Sequence, residues 1–167
     1  LKQQIPILKE MLEKMGISTV SLAGYEADDI LGTLAKKAES DNLDVTILSG
    51  DRDLLQLVTG KILVRLPRTI KGQTLIETYN EEKVKEHFSL TPSQIVDLKA
   101  LMGDAADNIP GILGVGEKTA TRLITEYGSV ENAFAHVDEI PQKRARESLR
   151  ENYSMAQLSK ELAAIDT

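Results

Sequence analysis

Apolar side chains recur at helical spacing from the start of the chain. Ile7, Leu8, Met11, Leu12 and Met15 predict an amphipathic helix over residues 3–15, ended by Gly16. A short strand is expected over Ser18 to Leu22. Ile30, Leu31, Leu34, Ala35 and Ala38 then mark a second helical stripe from Ala27 to Ala38. DVTILS, residues 44–49, is a compact apolar run with β-branched residues and reads as a buried strand, with Leu54, Leu55 and Val58 suggesting another helix directly after it. Strand, helix, strand, helix implies a parallel-rich sheet with crossover helices. KILVRL and TLIETY, joined around Lys71 and Gly72, read as an antiparallel pair at one edge.

From Asn80 the pattern becomes all-helical. Asn80 is placed to cap a helix over Glu81 to His87, and Thr91 with Pro92 opens another that runs to Met102. After the glycine-rich loop GDAADNIPGILGVGEK, a third helix carries Ala120, Leu123, Ile124 and Tyr127 and stops at Gly128. Ser129 caps a fourth, and residues 142–165 hold one or two more. The expected division is an α/β unit over residues 1–88 and a helical unit over residues 89–167.

At 167 residues and 41% hydrophobic content the chain can bury one substantial core or two smaller ones. It contains no cysteine and two histidines, which excludes disulfides and makes any metal site an oxygen site for a hard cation. No apolar run is long enough to cross a membrane as a helix. The net charge of −6 argues against nucleic acid only if the acids stay uncompensated, since divalent cations can neutralise them and backbone amides can hold phosphate.

Those acids concentrate at element ends. Glu26, Asp28 and Asp29 crowd the start of the second helix, Asp51 and Asp53 follow the strand at 44–49, and Asp104 and Asp107 follow the helix ending at Met102. A helix N-terminus favours one or two acids by roughly 0.3 to 1 kcal/mol each, and Asp is common in turns, so each group alone reads as capping. A D-x-D at the carboxyl end of a strand, however, lies where open sheets bind ligands. Asp104 and Asp107, three apart, share a face if their turn is helical. Carboxylates without His or Cys suit Mg²⁺ or Mn²⁺, and two such ions promote phosphodiester hydrolysis.

IPGILGVGEKTATRLI meets a different need. Gly111, Gly114 and Gly116 permit a tight hairpin, and the helix from Glu117 offers free N–H groups to a phosphate, with Lys118 and Arg122 nearby. No Walker A spacing is present.

GYEADD, SGDRD and LMGDAADNIPGILGVGEKTA, in that order, resemble the 5′ nuclease domain of bacterial DNA polymerase I, in the flap endonuclease superfamily. The resemblance covers essentially the whole chain. It implies a PIN-like 5′ nuclease core followed by a helix-hairpin-helix (H3TH) subdomain. Glu26, Asp28, Asp29, Asp51, Asp53, Asp104 and Asp107 then correspond to the metal-site acids, and two Mg²⁺ or Mn²⁺ ions are expected there. Gly111, Gly114, Val115, Gly116, Glu117, Lys118, Thr119 and Arg122 would grip duplex DNA, with K⁺ at the hairpin. The implied substrates are 5′ flaps, nicks and RNA primers on DNA, in a monomeric bacterial cytoplasmic protein that carries a polymerase domain in the same parent chain. Family members begin with two Asp-bearing strands and an arch of helices, so the chain is expected to match the carboxyl-terminal two-thirds of the nuclease domain. Binding to branched DNA without cleavage is the alternative this leaves.

Other residues admit plainer roles. Arg52 is expected to screen its acidic neighbours, Lys143, Arg144, Arg146 and Arg150 to form a solvated face, His87 and His136 to lie at the surface, and Tyr25 and Tyr127 to pack at the core boundary. D-x-D after a strand also occurs in phosphatases that form an aspartyl phosphate, a reading that gives the hairpin no task.

Overall fold

The structure is a computed structural model that describes residues 2–167; Leu1, the first residue of the expected α/β unit, lies outside the described residues. Helix α1 (Gln4–Lys14) forms where the stripe predicts it, and Gly16 ends it at φ 73°. None of its residues is buried, and Ile5, Ile7, Leu8 and Met11 stay exposed. The strand expected at 18–22 does not form: these residues join no ladder among the described residues, and Val20 and Leu22 are exposed. Strand propensity alone cannot hold a strand whose N–H and C=O groups have no partner.

Helix α2 (Ala27–Ser40) buries Gly32 and Ala35. A Cβ at Gly32 would come within 2.7 Å of Thr167 Cγ2 and 2.9 Å of Ile165 Cγ2, so the absence of a side chain here lets the end of the chain lie against α2. The sheet has three strands, β1 (Val45–Leu48), β2 (Ile62–Ile70) and β3 (Gln73–Tyr79), in that spatial order. β1 is parallel to β2, with Val45 opposite Ile62, and β3 is antiparallel to β2, with Val64 opposite Tyr79. Lys71 and Gly72 both take positive φ, the two-residue turn that suits hairpin twist.

Two further expectations change. β1 is not fully buried: with a ladder on one side only among the described residues, it buries Ile47 and leaves Leu48 exposed. The segment after it forms a 3₁₀ turn, Asp53–Leu57, rather than an α-helix. Those five residues still bury Leu54, Leu55 and Leu57, after which Val58 is already extended at ψ 132°.

Asn80 caps α3 (Glu81–Phe88) as expected, its side chain accepting the Lys83 N–H at 2.9 Å. Then follow α4 (Gln94–Met102), α5 (Glu117–Tyr127), α6 (Val130–Ala135, capped by Ser129), α7 (Lys143–Glu151) and α8 (Tyr153–Ala163). Two apolar cores result. One lies between the sheet, α2 and the 3₁₀ turn and includes Ile95; the other fills the helical unit and includes Leu98 and Leu101. Ile95 and Leu98 both belong to α4, which is therefore the wall shared by the two cores. Asp97 on the same helix is buried, accepts the Val130 N–H at 3.0 Å, and pairs with Lys160 at 2.7 Å, tying α4 to α6 and α8. No helix among the described residues is long and apolar enough to cross a membrane.

Candidate functional site

A single cleft of about 420 Å³ is lined by Glu26, Asp28, Asp29, Asp51, Asp53 and Asp107, acids drawn from three distant segments. The first group enters from the start of α2, where Asp29 is already engaged. Its carboxylate accepts the Glu26 N–H at 3.1 Å and the Asp166 N–H at 3.0 Å, so it caps the helix and ties down the chain end. The second group follows β1. Asp51 accepts the Asp53 N–H at 2.9 Å, an Asx turn that aims both carboxylates from the sheet edge.

The third group is arranged differently from the helical face expected of it. After α4 the chain reverses at Gly103, and Asp104 and Ile109 exchange both backbone hydrogen bonds, at 2.9 and 2.8 Å. Asp104 and Asp107 thus sit on a loop pinched at its base. Gly111, at φ 61°, passes so close beneath this loop that a Cβ there would lie 2.2 Å from the Gly103 nitrogen. One carboxylate oxygen from each of Asp53, Asp104 and Asp107 falls within 4.8 Å of the others. Asp104 opens mainly into an adjoining hollow of about 250 Å³ shared with Lys99.

Lys99 of α4 holds this centre together. Its ammonium contacts Asp53, lies 2.7 Å from Asp104 and 3.7 Å from Asp107, and its side chain is only 9% exposed. Burial works against the charged Lys99, but the Asp104 and Asp53 hydrogen bonds outweigh it and leave its pKa above the ordinary lysine value. The Lys99 hydrogen bond, with the Ala106 N–H, holds the Asp104 carboxyl below the usual range. Asp53 shifts the other way: burial, reinforced by Asp51 and Asp107, pushes its carboxyl up despite Lys99. A proton therefore competes at Asp53 with any cation, and cation affinity falls on acidification. The donors are all oxygen and already converge on a cationic group, which fits a hard divalent ion.

Lys99→Met tests that reading. Without its ammonium the three acids repel, and the metal-free protein should lose about 2 kcal/mol of stability, discounted for the exposure of Asp107. Added Mn²⁺ should then raise the melting temperature of the variant more than that of the parent. Equal shifts would mean that the cation and Lys99 do not share these oxygens.

Beside this centre the chain runs through the hairpin into α5. The amides of Gly116, Glu117 and Lys118 have no acceptor among the described residues, as the first turn of a helix leaves them. Gly111 and Val115 differ from that picture. The Gly111 N–H donates to Ser159 Oγ at 3.0 Å, the Val115 N–H donates to Ile112 O at 3.1 Å, and both residues are buried. Thr119 is half-buried, while Gly114 and Arg122 are exposed. Arg144 on α7 is exposed, as expected, but lies over the hairpin: a Cβ at Gly114 would meet its Nε at 2.8 Å, and Ser148 donates to the Leu113 carbonyl at 2.6 Å, so α7 supports the hairpin. Arg146 donates to Ile140 O at 2.8 Å and Arg150 pairs with Asp138. Tyr25 is exposed rather than packed, whereas Tyr127 does pack on the helical core.

Sequence reasoning missed Lys99, Asp97, Glu161 and Asp166. The first two carried a signal, since charged residues inside the apolar run IVDLKALM imply buried partners. Glu161 and Asp166, which line the acid cleft, carried none.

An all-oxygen acid centre at the edge of an α/β core, joined to a helical unit with a glycine hairpin, defines the class of carboxylate-centred nucleases. Residues 1–89 match the sequence family described as 5′-3′ exonuclease, N-terminal resolvase-like domain, and residues 90–167 match 5′-3′ exonuclease, C-terminal SAM fold. The chain belongs to the 5′-3′ exonuclease family. It is 52% identical over 165 residues to DNA polymerase I of Bacillus caldotenax and 50% identical over 167 residues to that of Bacillus subtilis, covering 99% and 100% of this chain. In each case it spans 19% of the relative's length. Among solved structures, phage T5 5′-exonuclease with bound divalent metal ions (zinc) matches at TM-score 0.80 and 26% identity, over 99% of this chain and 60% of that one. The T5 flap endonuclease in a pseudo-enzyme–product complex with DNA and metal ions matches at TM-score 0.78 and 26% identity, over 99% and 59%. The catalytic core of Rad2 in complex with DNA substrate shares the fold at TM-score 0.60 and 23% identity, over 97% of this chain and 48% of that one.

Proposed function

We propose that the chain is part of a structure-specific 5′-3′ exonuclease or flap endonuclease that hydrolyses phosphodiesters at 5′ flaps, nicks and RNA primers during DNA replication and repair. The observation that carries this reading is the meeting of Asp53, Asp104 and Asp107 within 4.8 Å, beside a helix start with free amides. Glu26, Asp28, Asp29 and Asp51 complete the acid lining, and the seven together would hold two Mg²⁺ or Mn²⁺ ions. Bound there, such ions supply an activated water and neutralise charge on the leaving oxygen. The protein's own task is positioning. The amides of Gly116, Glu117 and Lys118, with Gly114, Thr119 and Arg122 around them, hold duplex phosphate without reading sequence, with K⁺ as a further ligand of the hairpin. Gly111 and Val115 shape the hairpin from below.

Glu26, Asp28, Asp29, Asp51 and Asp53 belong to a nuclease unit over residues 1–88, and Asp104, Asp107 and the hairpin to a DNA-gripping unit over residues 89–167. The relatives' name supports a polymerase domain in the parent protein. That protein is read here as a monomer working at the bacterial nucleoid. A second reading, recognition of branched DNA without cleavage, draws support from Lys99, whose ammonium already occupies the acid centre.

A 5′-flapped duplex incubated with Mg²⁺, and in parallel with EDTA, decides between them. Cleavage that leaves a 5′ phosphate in Mg²⁺ and stops in EDTA, while gel-shift binding persists, is the expected result. Binding without cleavage in either condition selects the second reading, and neither binding nor cleavage overturns both.

A further inference from the structure

Three polar side chains are buried among the described residues, and two of them, Asp97 and Lys99, have charged partners. The third is Ser159 of α8, at 0% exposure. Its Oγ accepts the Gly111 N–H at 3.0 Å, across 48 residues of chain. A buried amide needs an acceptor, and no backbone carbonyl among the described residues takes this one. Ala156, Ser159 and Ala163 form the buried face of α8, and their small side chains let the helix come close to the backbone at Gly111.

Gly111 is the point where the acid loop ends and the hairpin begins. On the loop side Asp104 and Ile109 exchange backbone hydrogen bonds, and a Cβ at Gly103 would lie 2.7 Å from the Ile109 oxygen and 2.8 Å from the Pro110 oxygen. The two arms of the loop thus touch as bare backbone and move only together. On the hairpin side the Ile112 N–H donates to the Leu101 carbonyl at 2.8 Å, which ties the junction to the end of α4. Among the described residues Ser159 supplies its one hydrogen bond to α8. That helix is itself fixed, since Lys160 pairs with Asp97 of α4 at 2.7 Å and Ala156 lies in the helical core. The height of Gly111 above α8 therefore sets where Asp104 and Asp107 stand relative to Asp53, which arrives from the sheet edge.

We propose that Ser159 is a positioning residue of the acid centre: its hydroxyl fixes Gly111 and, through the backbone of the acid loop, holds Asp104 and Asp107 at the spacing from Asp53 that a divalent cation needs. Ser159 touches neither substrate nor ion. A hydroxyl suits the task because it offers an acceptor small enough for a fully enclosed place. The role deepens the nuclease reading above and rests on it.

Electron paramagnetic resonance of free Mn²⁺, titrated with the protein in the absence of DNA, tests it by reading the affinity of the acid centre apart from cleavage. Ser159→Ala removes the acceptor, and Ser159→Cys keeps nearly the same volume with a weak one. Both should weaken Mn²⁺ binding about 10- to 100-fold, the range typical when a group that orients a metal ligand is lost. Ala156→Gly, on the same buried face of α8, should lower the melting temperature and leave Mn²⁺ affinity at the parental value. Parental affinity in both Ser159 variants overturns the assignment and leaves the nuclease reading standing. An equal loss of affinity in Ala156→Gly does the same, because the effect would then follow stability alone. A parent protein that binds no Mn²⁺ overturns both.

Discussion

Replacing Asp51 and Asp53 together by Asn lowers divalent-dependent cleavage of a 5′-flapped duplex by about a thousandfold, as the family membership and the acid centre lead us to expect. The two carboxylates approach the centre from the sheet side, and Asp53 is one of the three whose oxygens meet. Loss of their charge weakens the hold on the divalent ions that would neutralise the reacting phosphate, and about 4 kcal/mol corresponds to three orders of magnitude in rate. Folding should change little, because Asn keeps the acceptor that Asp51 offers to the Asp53 N–H, and Lys99, losing Asp53, keeps Asp104 and Asp107 as partners. A melting curve close to the parent's, with Mn²⁺ no longer raising it, completes the expected result. Cleavage at the parental rate would reject the assigned roles.

Gly111→Ala should produce the largest loss of stability, about 3 to 4 kcal/mol. Gly111 has φ 61°, and an added Cβ would lie 2.2 Å from the nitrogen and 2.6 Å from the Cα of Gly103. No side-chain rotation relieves a clash with backbone, so the loop 104–109 must shift or the hairpin must lift. The shift would also part Asp104 from Asp53, and Mn²⁺ binding should weaken along with stability. Gly116→Ala is the control: a Cβ there meets nothing within 4 Å and the residue has negative φ, so its melting temperature should stay near the parent's. Equal tolerance of both substitutions would show that the close approach at Gly103 has no energetic weight.

What the sequence disclosed was mostly local. The Lys71–Gly72 turn, the caps at Asn80 and Ser129, and the stops at Gly16 and Gly128 depend on residues within a few positions of one another. Residues 18–22 have strand composition, yet a strand also needs an edge to pair with, and composition cannot supply one. The same limit applied to β1, whose burial depends on how many neighbours flank it. At the site, the three acidic segments stood out, but not the device that joins the last two acids. That device is the backbone bridge between Asp104 and Ile109, with Gly111 beneath it. Gly111 and Gly116 looked alike as hairpin glycines, although one is packed against backbone and the other opens to solvent.

Lys99 reaches the acids from the helix that both cores grip, so its position is set by packing and not by the acids themselves. A tethered counter-charge of this kind keeps the loop and the sheet edge assembled when free cations are scarce. A divalent ion taking the same oxygens would require that one side chain to swing aside, and the speed of the exchange would follow how readily an ammonium leaves its carboxylates.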